Sequence, residues 1–263
     1  MSRPNIRDAK CVLVIGATAG IGRALALAIH DLPSKPTVIV AGRRQERLDE
    51  LTKTSDRIVG IRVDVTMDRA ALKDFAESVV SQYPNLDAVL FSSGVQHVFK
   101  LDQPEHMNWN LFESELTTNY TSVVALINFF LPHLMELAST GHPTFLIPIT
   151  SSLSVVPGQW VPYYSASKAA LHSLCLSLVV QLKNTNVIVM EILPPLVESE
   201  LHDHQGNRER LSKIWMPLDE FAKAAMEGLC RGDAEIPVGY CVSKWERHEK
   251  GKLEEMCKGP SSR

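Results

Sequence analysis

The 263-residue chain has 45% hydrophobic residues, enough for one large core, and a formal net charge of −3 that gives no electrostatic reason to expect a nucleic-acid partner. Five cysteines, Cys11, Cys175, Cys230, Cys241 and Cys257, are scattered without a Cys-x-x-Cys, which excludes a disulfide scaffold. Met1 to Lys10 has no apolar leader, and no run approaches the roughly 18–20 consecutive apolar residues of a membrane span, so a cytoplasmic protein without a membrane partner is expected.

Cys11 to Ile15 is a short β-branched apolar run suited to a strand buried on both faces. Gly16-Ala17-Thr18-Ala19-Gly20-Ile21-Gly22 follows, and Arg23 to Ile29 is a helix-forming run. A strand, three glycines and a helix make a place where backbone N–H groups and a positive helix end hold a pyrophosphate. The spacing is Gly-x-x-x-Gly-x-Gly rather than Gly-x-Gly-x-x-Gly, and a tight turn alone also accounts for such a cluster. Thr37 to Ala41 is the next strand, with Gly42-Arg43-Arg44 directly after it. An acidic residue there would hold a ribose 2′-hydroxyl. Arg43 instead suits the 2′-phosphate of NADP, whereas Arg44 fits equally well as a surface residue opening the charged helix Gln45 to Thr52.

Arg57 to Val63 gives a third strand ending in Asp64-Val65, where Asp64 suits either an adenine amino group or the cap of a helix starting near Arg69. Leu86 to Phe91 is a fourth, followed by Ser92-Ser93-Gly94, with Gly94 allowing close backbone approach to a cofactor. Apolar spacing predicts one long helix from Leu111 to Met135, and Asn119 sits in its midst. A mid-helix asparagine is intrinsically unfavourable, so it either faces solvent or holds a water. Thr144 to Ile149 is the fifth strand and delivers Ser151, a helix covers Tyr163 to Lys183, and Val187 to Leu193 is the sixth strand, stopped by Pro194-Pro195. Val197 to Trp215 is a polar run expected to form a mobile lid; His202-x-His204 within it lacks a clear third ligand, so no metal centre is expected. A helix over Asp219 to Leu229, a short strand at Glu235 to Val238 and a frayed tail at Gly259 to Arg263 complete the chain.

Strand and helix alternate throughout, which predicts a single α/β domain, its core about 10–240: a doubly wound, mostly or wholly parallel sheet of about seven strands. Gly16, Arg43, Asp64, Gly94, Ser151 and Pro194 each fall just past the carboxyl end of a strand, the edge at which such sheets bind ligands. Tyr164 and Lys168 are four residues apart on a helix, an advance of about 400°, so they share a face. A phenol with pKa near 10 is a poor proton donor or acceptor at neutral pH; bringing it to about 7 requires roughly 4 kcal/mol, much of which a neighbouring ammonium can supply.

Together these residues resemble the short-chain dehydrogenase/reductase family over nearly the whole chain, from about Lys10 to Gly239. The family's glycine motif falls on Gly16, Gly20 and Gly22, with Ile15 in place of threonine, and its Asn-Ser-Tyr-Lys set falls on Asn119, Ser151, Tyr164 and Lys168. Thr118-Asn119 within Glu-x-x-Thr-Asn, Pro194-Pro195-Leu196-Val197 and Met216-Pro217-Leu218-Asp219-Glu220-Phe221 are similar to the DltE-like branch. The resemblance implies a Rossmann-type sheet that holds NADP(H) through Gly16, Thr18, Gly20, Ile21, Gly22, Arg43, Asp64, Val65, Gly94, Asn119, Tyr164, Lys168, Pro194, Val197 and Ser199. It implies carbonyl–alcohol interconversion on a small-molecule substrate and a homodimer or homotetramer formed through the two long helices. Val155, Val156, Pro157 and Trp160 suggest an apolar or aromatic substrate, and a buried-core role accounts for them equally well. Two departures stand out: Phe91-Ser92-Ser93-Gly94 replaces Asn-Asn-Ala-Gly, and Pro195 replaces glycine. The first favours an alternative, a non-catalytic NADP-binding regulator or scaffold; a nucleotide-sugar epimerase would need more chain after Leu193.

Overall fold

The computed structural model describes residues 3–206 and 208–258; the tail from Gly259 to Arg263 lies outside them. In chain order the elements are β1 (Cys11–Ile15), α1 (Gly20–His30), β2 (Thr37–Gly42), α2 (Gln45–Thr52), β3 (Ile58–Arg62), α3 (Arg69–Gln82) and β4 (Ala88–Phe91). There follow α4 (Trp109–Leu116), a π turn (Thr117–Thr121), α5 (Ser122–Ser139), β5 (Thr144–Pro148), α6 (Pro162–Gln181), β6 (Val187–Val189) and β7 (Glu191–Leu193). Last come α7 (Arg208–Leu211), α8 (Leu218–Arg231), β8 (Glu235–Pro237), α9 (Cys241–His248) and α10 (Lys252–Lys258).

Side chains alternate across a strand, and here both faces are covered. Val12, Val14, Val38, Val40, Leu90 and Phe145 join one apolar cluster with α1, α2 and α8, while Leu13, Ile15, Ile39, Val89, Phe91 and Leu146 join the other with α3, α5 and α6. The main sheet has the order β3-β2-β1-β4-β5-β6, every pairing parallel. Chain order reverses between β1 and β4, which leaves a crevice beyond their carboxyl ends. Asp87, buried just before β4, accepts hydrogen bonds from the N–H groups of Lys10 (2.8 Å) and Cys11 (3.0 Å) and pairs with His142 Nε2 (2.9 Å), tying the start of β1 to its neighbours.

The strand count of about seven is corrected. Six strands form the main sheet, and the expected sixth run splits at Met190, after which β7 forms a separate two-strand parallel ladder with β8. Met190 N–H still donates to Leu146 (2.9 Å), but Glu191 N–H turns to Ala234 (2.8 Å). A change of hydrogen-bonding partner is invisible in a run that stays apolar. The expected helix Leu111–Met135 is part of a longer helical segment, Trp109–Ser139, of 31 residues, interrupted by the π turn around Asn119. By length and composition alone this segment is long and apolar enough to cross a membrane, which a search for consecutive apolar residues did not reveal. Val123, Ile127, Phe130 and Leu134 on it are buried in the protein core.

Phe145 is fully buried in the central strand β5. Phe145→Ala is expected to lower unfolding free energy by about 3–5 kcal/mol in urea titration, the usual range for an aromatic deletion that leaves a cavity.

Candidate active site

Gly16 leaves β1 with φ of +91°, and a Cβ there would lie 2.6 Å from the backbone nitrogen of Ser93. A Cβ on Gly22 would lie 2.3 Å from the carbonyl oxygen of Gly16, so both positions exclude any larger residue. Ala19 ends the turn in an extended conformation and offers no side-chain cap to α1. The first-turn N–H groups of α1 therefore have no capping side chain and face the cleft, as an anion site requires.

At the end of β2, Arg43 is exposed and lines the cleft near Asp64. Arg44 is no idle surface residue: its Nε and Nη2 donate to Thr18 Oγ1 (3.1 and 2.9 Å), and Nη1 pairs with Glu200 (2.6 Å). The adjacent arginines after the strand were the available signal, and only the position of Thr18 tells them apart. Asp64 accepts from the N–H (3.0 Å) and hydroxyl (2.8 Å) of Thr66, whereas Asp68 caps α3 by accepting from Ala71. Burial pushes the Asp64 carboxyl up, but the Thr66 hydrogen bonds and the charges of Arg43 and Arg62 outweigh it and hold it below the usual carboxylate range.

Asn119 does not face solvent. Fully buried in the π turn, it accepts from Val95 N–H (2.9 Å) and donates to Val95 O (2.9 Å) and Ser167 Oγ (3.2 Å). Its amide therefore substitutes for a backbone partner to the strand exit after β4, next to Gly94.

Ser151 heads a short 3₁₀ turn at Ser152–Ser154; its hydroxyl accepts from Leu153 N–H (3.1 Å) and hydrogen-bonds the Tyr164 phenol. Burial pushes that phenol up to about 12; the Ser151 hydrogen bond lowers it, and the nearby Glu115 and Tyr240 raise it. The Lys168 ammonium lies 5.9 Å from the Tyr164 ring centroid and donates to Ile149 O at 2.8 Å. Burial drives it down to about 8. Serine hydroxyl, phenol and ammonium thus converge beside the glycine turn.

All three line one cleft of about 1270 Å³. Its walls also include Gly16, Thr18, Gly20, Ile21, Arg43, Asp64, Val65, Gly94, Pro194, Val197 and Ser199. Gly22 and Asn119 lie behind that surface, packed against Gly16 and bonded to Val95 respectively. Of the four residues that suggested an apolar substrate, Trp160 is on the wall and Val155, Val156 and Pro157 are not; Leu153, Leu211 and Ile214 are among the other apolar side chains on it. The His204 side chain lies outside the described residues, and His202 is on the wall.

Sequence reasoning missed two further groups. Glu115, inside the Glu-x-x-Thr-Asn pattern, is buried and bonded to His97 N–H (2.6 Å). Desolvation raises its carboxyl to about 7, against the lowering effect of that hydrogen bond. Tyr240 accepts from Leu196 N–H (2.8 Å), fixing the turn after Pro195. No local pattern marks Tyr240.

The family profile described as short chain dehydrogenase matches residues 10–210. The uncharacterized oxidoreductase DltE of Bacillus subtilis is 33% identical over 229 residues, covering 86% of each chain. The NADP-dependent 3-hydroxy acid dehydrogenase YdfG of Shigella flexneri is 32% identical over 187 residues, 71% of this chain and 72% of its own. A 3-ketoacyl-(acyl-carrier-protein) reductase of Brucella melitensis, solved with NADH, superposes with a TM-score of 0.76 at 18% identity, over 86% of this chain and 94% of that one.

Keeping Lys168 charged in a dry site has a measurable cost. Its folded pKa of about 8 lies below the ordinary 10.5, so between those values the unfolded chain holds a proton that the folded one has released. Stability therefore rises with pH across that window, and the cost is fully present below it. Lys168→Met is expected to melt higher than wild type at pH 7, by up to about 3 kcal/mol in unfolding free energy, with the gap closing between pH 8 and 10 in paired thermal melts.

Proposed function

We propose, since this chain belongs to the short-chain dehydrogenase family and its DltE-like branch, that it interconverts a carbonyl and an alcohol with NADP(H), using Tyr164 as the proton donor and acceptor. The convergence of Ser151, Tyr164 and Lys168 at the glycine-turn cleft carries this reading. When bound, NADPH supplies the hydride. Tyr164 gives its proton to the carbonyl oxygen, and Ser151, already hydrogen-bonded to the phenol, orients that oxygen. Burial, with Glu115 and Tyr240 beside it, keeps the phenol protonated; Ser151, rather than the expected Lys168, is the neighbour that lowers it, and the Lys168 ammonium faces the cleft where a ribose would lie. Asn119 acts by holding Val95 and Ser167 in place.

The start of α1, with no side-chain cap and with Gly20 and Ile21 on the cleft wall, supports a pyrophosphate there. Arg43 and Arg44 at the end of β2 support a 2′-phosphate and hence NADP over NAD. YdfG, a relative whose name specifies NADP, supports the same choice. Leu153, Trp160, Leu211 and Ile214 support a substrate with an apolar or aromatic body. A non-catalytic cofactor sensor has no use for a buried phenol and ammonium, whose burial costs stability. We place the protein in the cytoplasm, as a homodimer or homotetramer joined through α5 and α6.

Tyr164→Phe should reduce NADPH-dependent turnover of a ketone panel by at least about 100-fold, the lower bound for losing a positioned general acid; activity equal to wild type would end the proposal. Arg43→Asp should cost about tenfold or more in kcat/KM for NADPH while sparing NADH, and an unchanged preference would remove the basis for NADP.

A further inference from the structure

Tyr164, Lys168 and His172 are spaced four residues apart on α6, so a third titratable side chain stands on the same face one turn behind the ammonium. His172 is 5% exposed. Its Nδ1 lies 2.9 Å from both carboxylate oxygens of Glu191 on β7, and its Nε2 lies 3.0 Å from Glu249 Oε2, at the end of α9. Glu191 is also bonded by the hydroxyl of Thr150, whose N–H donates to Ile192 O (2.9 Å). Thr150 sits between Ile149, whose carbonyl holds Lys168, and Ser151, which holds Tyr164. Lys252 closes the far end on Glu249 Oε1 (2.7 Å).

An imidazole with a carboxylate on each nitrogen must donate in both directions, and only the protonated ring can do so. We propose that His172 is a positioning residue of the reaction: as an imidazolium clamped between Glu191 and Glu249, it fixes the exit of β5 that presents Ile149 and Ser151, and it balances the Glu191 charge felt by Lys168. This rests on the hydride-transfer reading above. Burial pushes the imidazole down, but the hydrogen bonds and charges of Glu191 and Glu249 outweigh it and bring it up to about 9. The other ionisable groups around it are Glu235 on β8 and Lys168 and Cys175 on α6.

The same cluster has the spacing of a cation site, but its atoms already serve as one another's partners. Ligand atoms of His172, Glu191 and Glu235 lie within 4.8 Å of one another, but Glu235 Oε1 accepts from Trp245 Nε1 (2.7 Å), and the histidine and Glu191 are bonded to each other. Charge compensation already satisfies the cluster.

The test compares the pH dependence of NADPH-driven reduction of 9,10-phenanthrenequinone in wild type, His172→Gln and Glu191→Gln. Losing the imidazolium makes the surroundings of Tyr164 more negative and its proton harder to remove, so the alkaline limb should move up by about half a unit or more in His172→Gln. Losing the carboxylate should move the limb down in Glu191→Gln, and kcat should fall about tenfold in both with little change in KM for NADPH. A purely structural role would lower melting temperature without opposite pH shifts, and coincident profiles would overturn the proposal. Imidazole nitrogen NMR of the wild type gives a readout that needs no turnover: both His172 nitrogens should be protonated at pH 7.5, and a neutral tautomer would refute the clamp. A wild type that reduces no carbonyl yet shows the imidazolium would instead sink the hydride-transfer reading, and this role with it.

Discussion

One hydrogen bond organises the site: the buried ammonium of Lys168 on the carbonyl oxygen of Ile149, 2.8 Å away. That carbonyl lies just past β5, where the pairing thins to a single bridge between Ile149 and Ile192, and it accepts from the ammonium of the helix instead. The bond fixes α6 in rotation and height against the sheet. Tyr164, one turn earlier, is thereby set against Ser151, and His172, one turn later, against Glu191. A helix that must place three polar side chains in a dry layer has little freedom left. The opposing clusters of apolar side chains supply the driving force, and the polar row selects one arrangement from the many they would permit.

The parts of this arrangement that follow from periodicity were legible without coordinates. Continuous apolar runs wrote β1, β2, β4 and β5 plainly, and the residues just past their carboxyl ends do share one cleft. What stayed hidden depends on partners remote in sequence. Met190 looks like any apolar strand residue, yet the ladder changes there. Arg44 differs from Arg43 only by reaching Thr18 and Glu200. Asn119 announced itself as anomalous, but its partner Val95 lies 24 residues away. The π turn reconciles the anomaly: a local widening of the helix places an amide against a strand exit that a regular α-helix would present differently.

His172 and Glu249 are 77 residues apart, which shows the same limit for charge. Each alone is an unremarkable polar residue on a helix or at its end. Burial changes their meaning, because a desolvated carboxylate needs a donor and a desolvated imidazole needs acceptors, so each makes the other's position intelligible. Glu115 is the contrasting case. One of its oxygens accepts from His97 N–H and lies 3.3 Å from His97 Nδ1, the other is buried without a hydrogen bond, and burial raises the carboxyl to about 7.

The departures from the family pattern become intelligible on the same terms. Ser92 and Ser93 stand where the glycine turn presses closest, so that a Cβ on Gly16 would touch the Ser93 nitrogen, and both line the cleft. Pro195 removes an N–H from the turn after β7, but the turn is held on both sides: Ser152 N–H donates to Pro194 O at 2.7 Å, and Leu196 N–H donates to Tyr240 at 2.8 Å. Tyr240 and Glu249 both lie beyond Arg210, where the family match ends. One secures the floor of the cleft and the other answers the imidazole behind Lys168. The segment after Arg210 is therefore part of the construction of this cleft, since it supplies contacts that hold the turn after β7 and the imidazole behind Lys168.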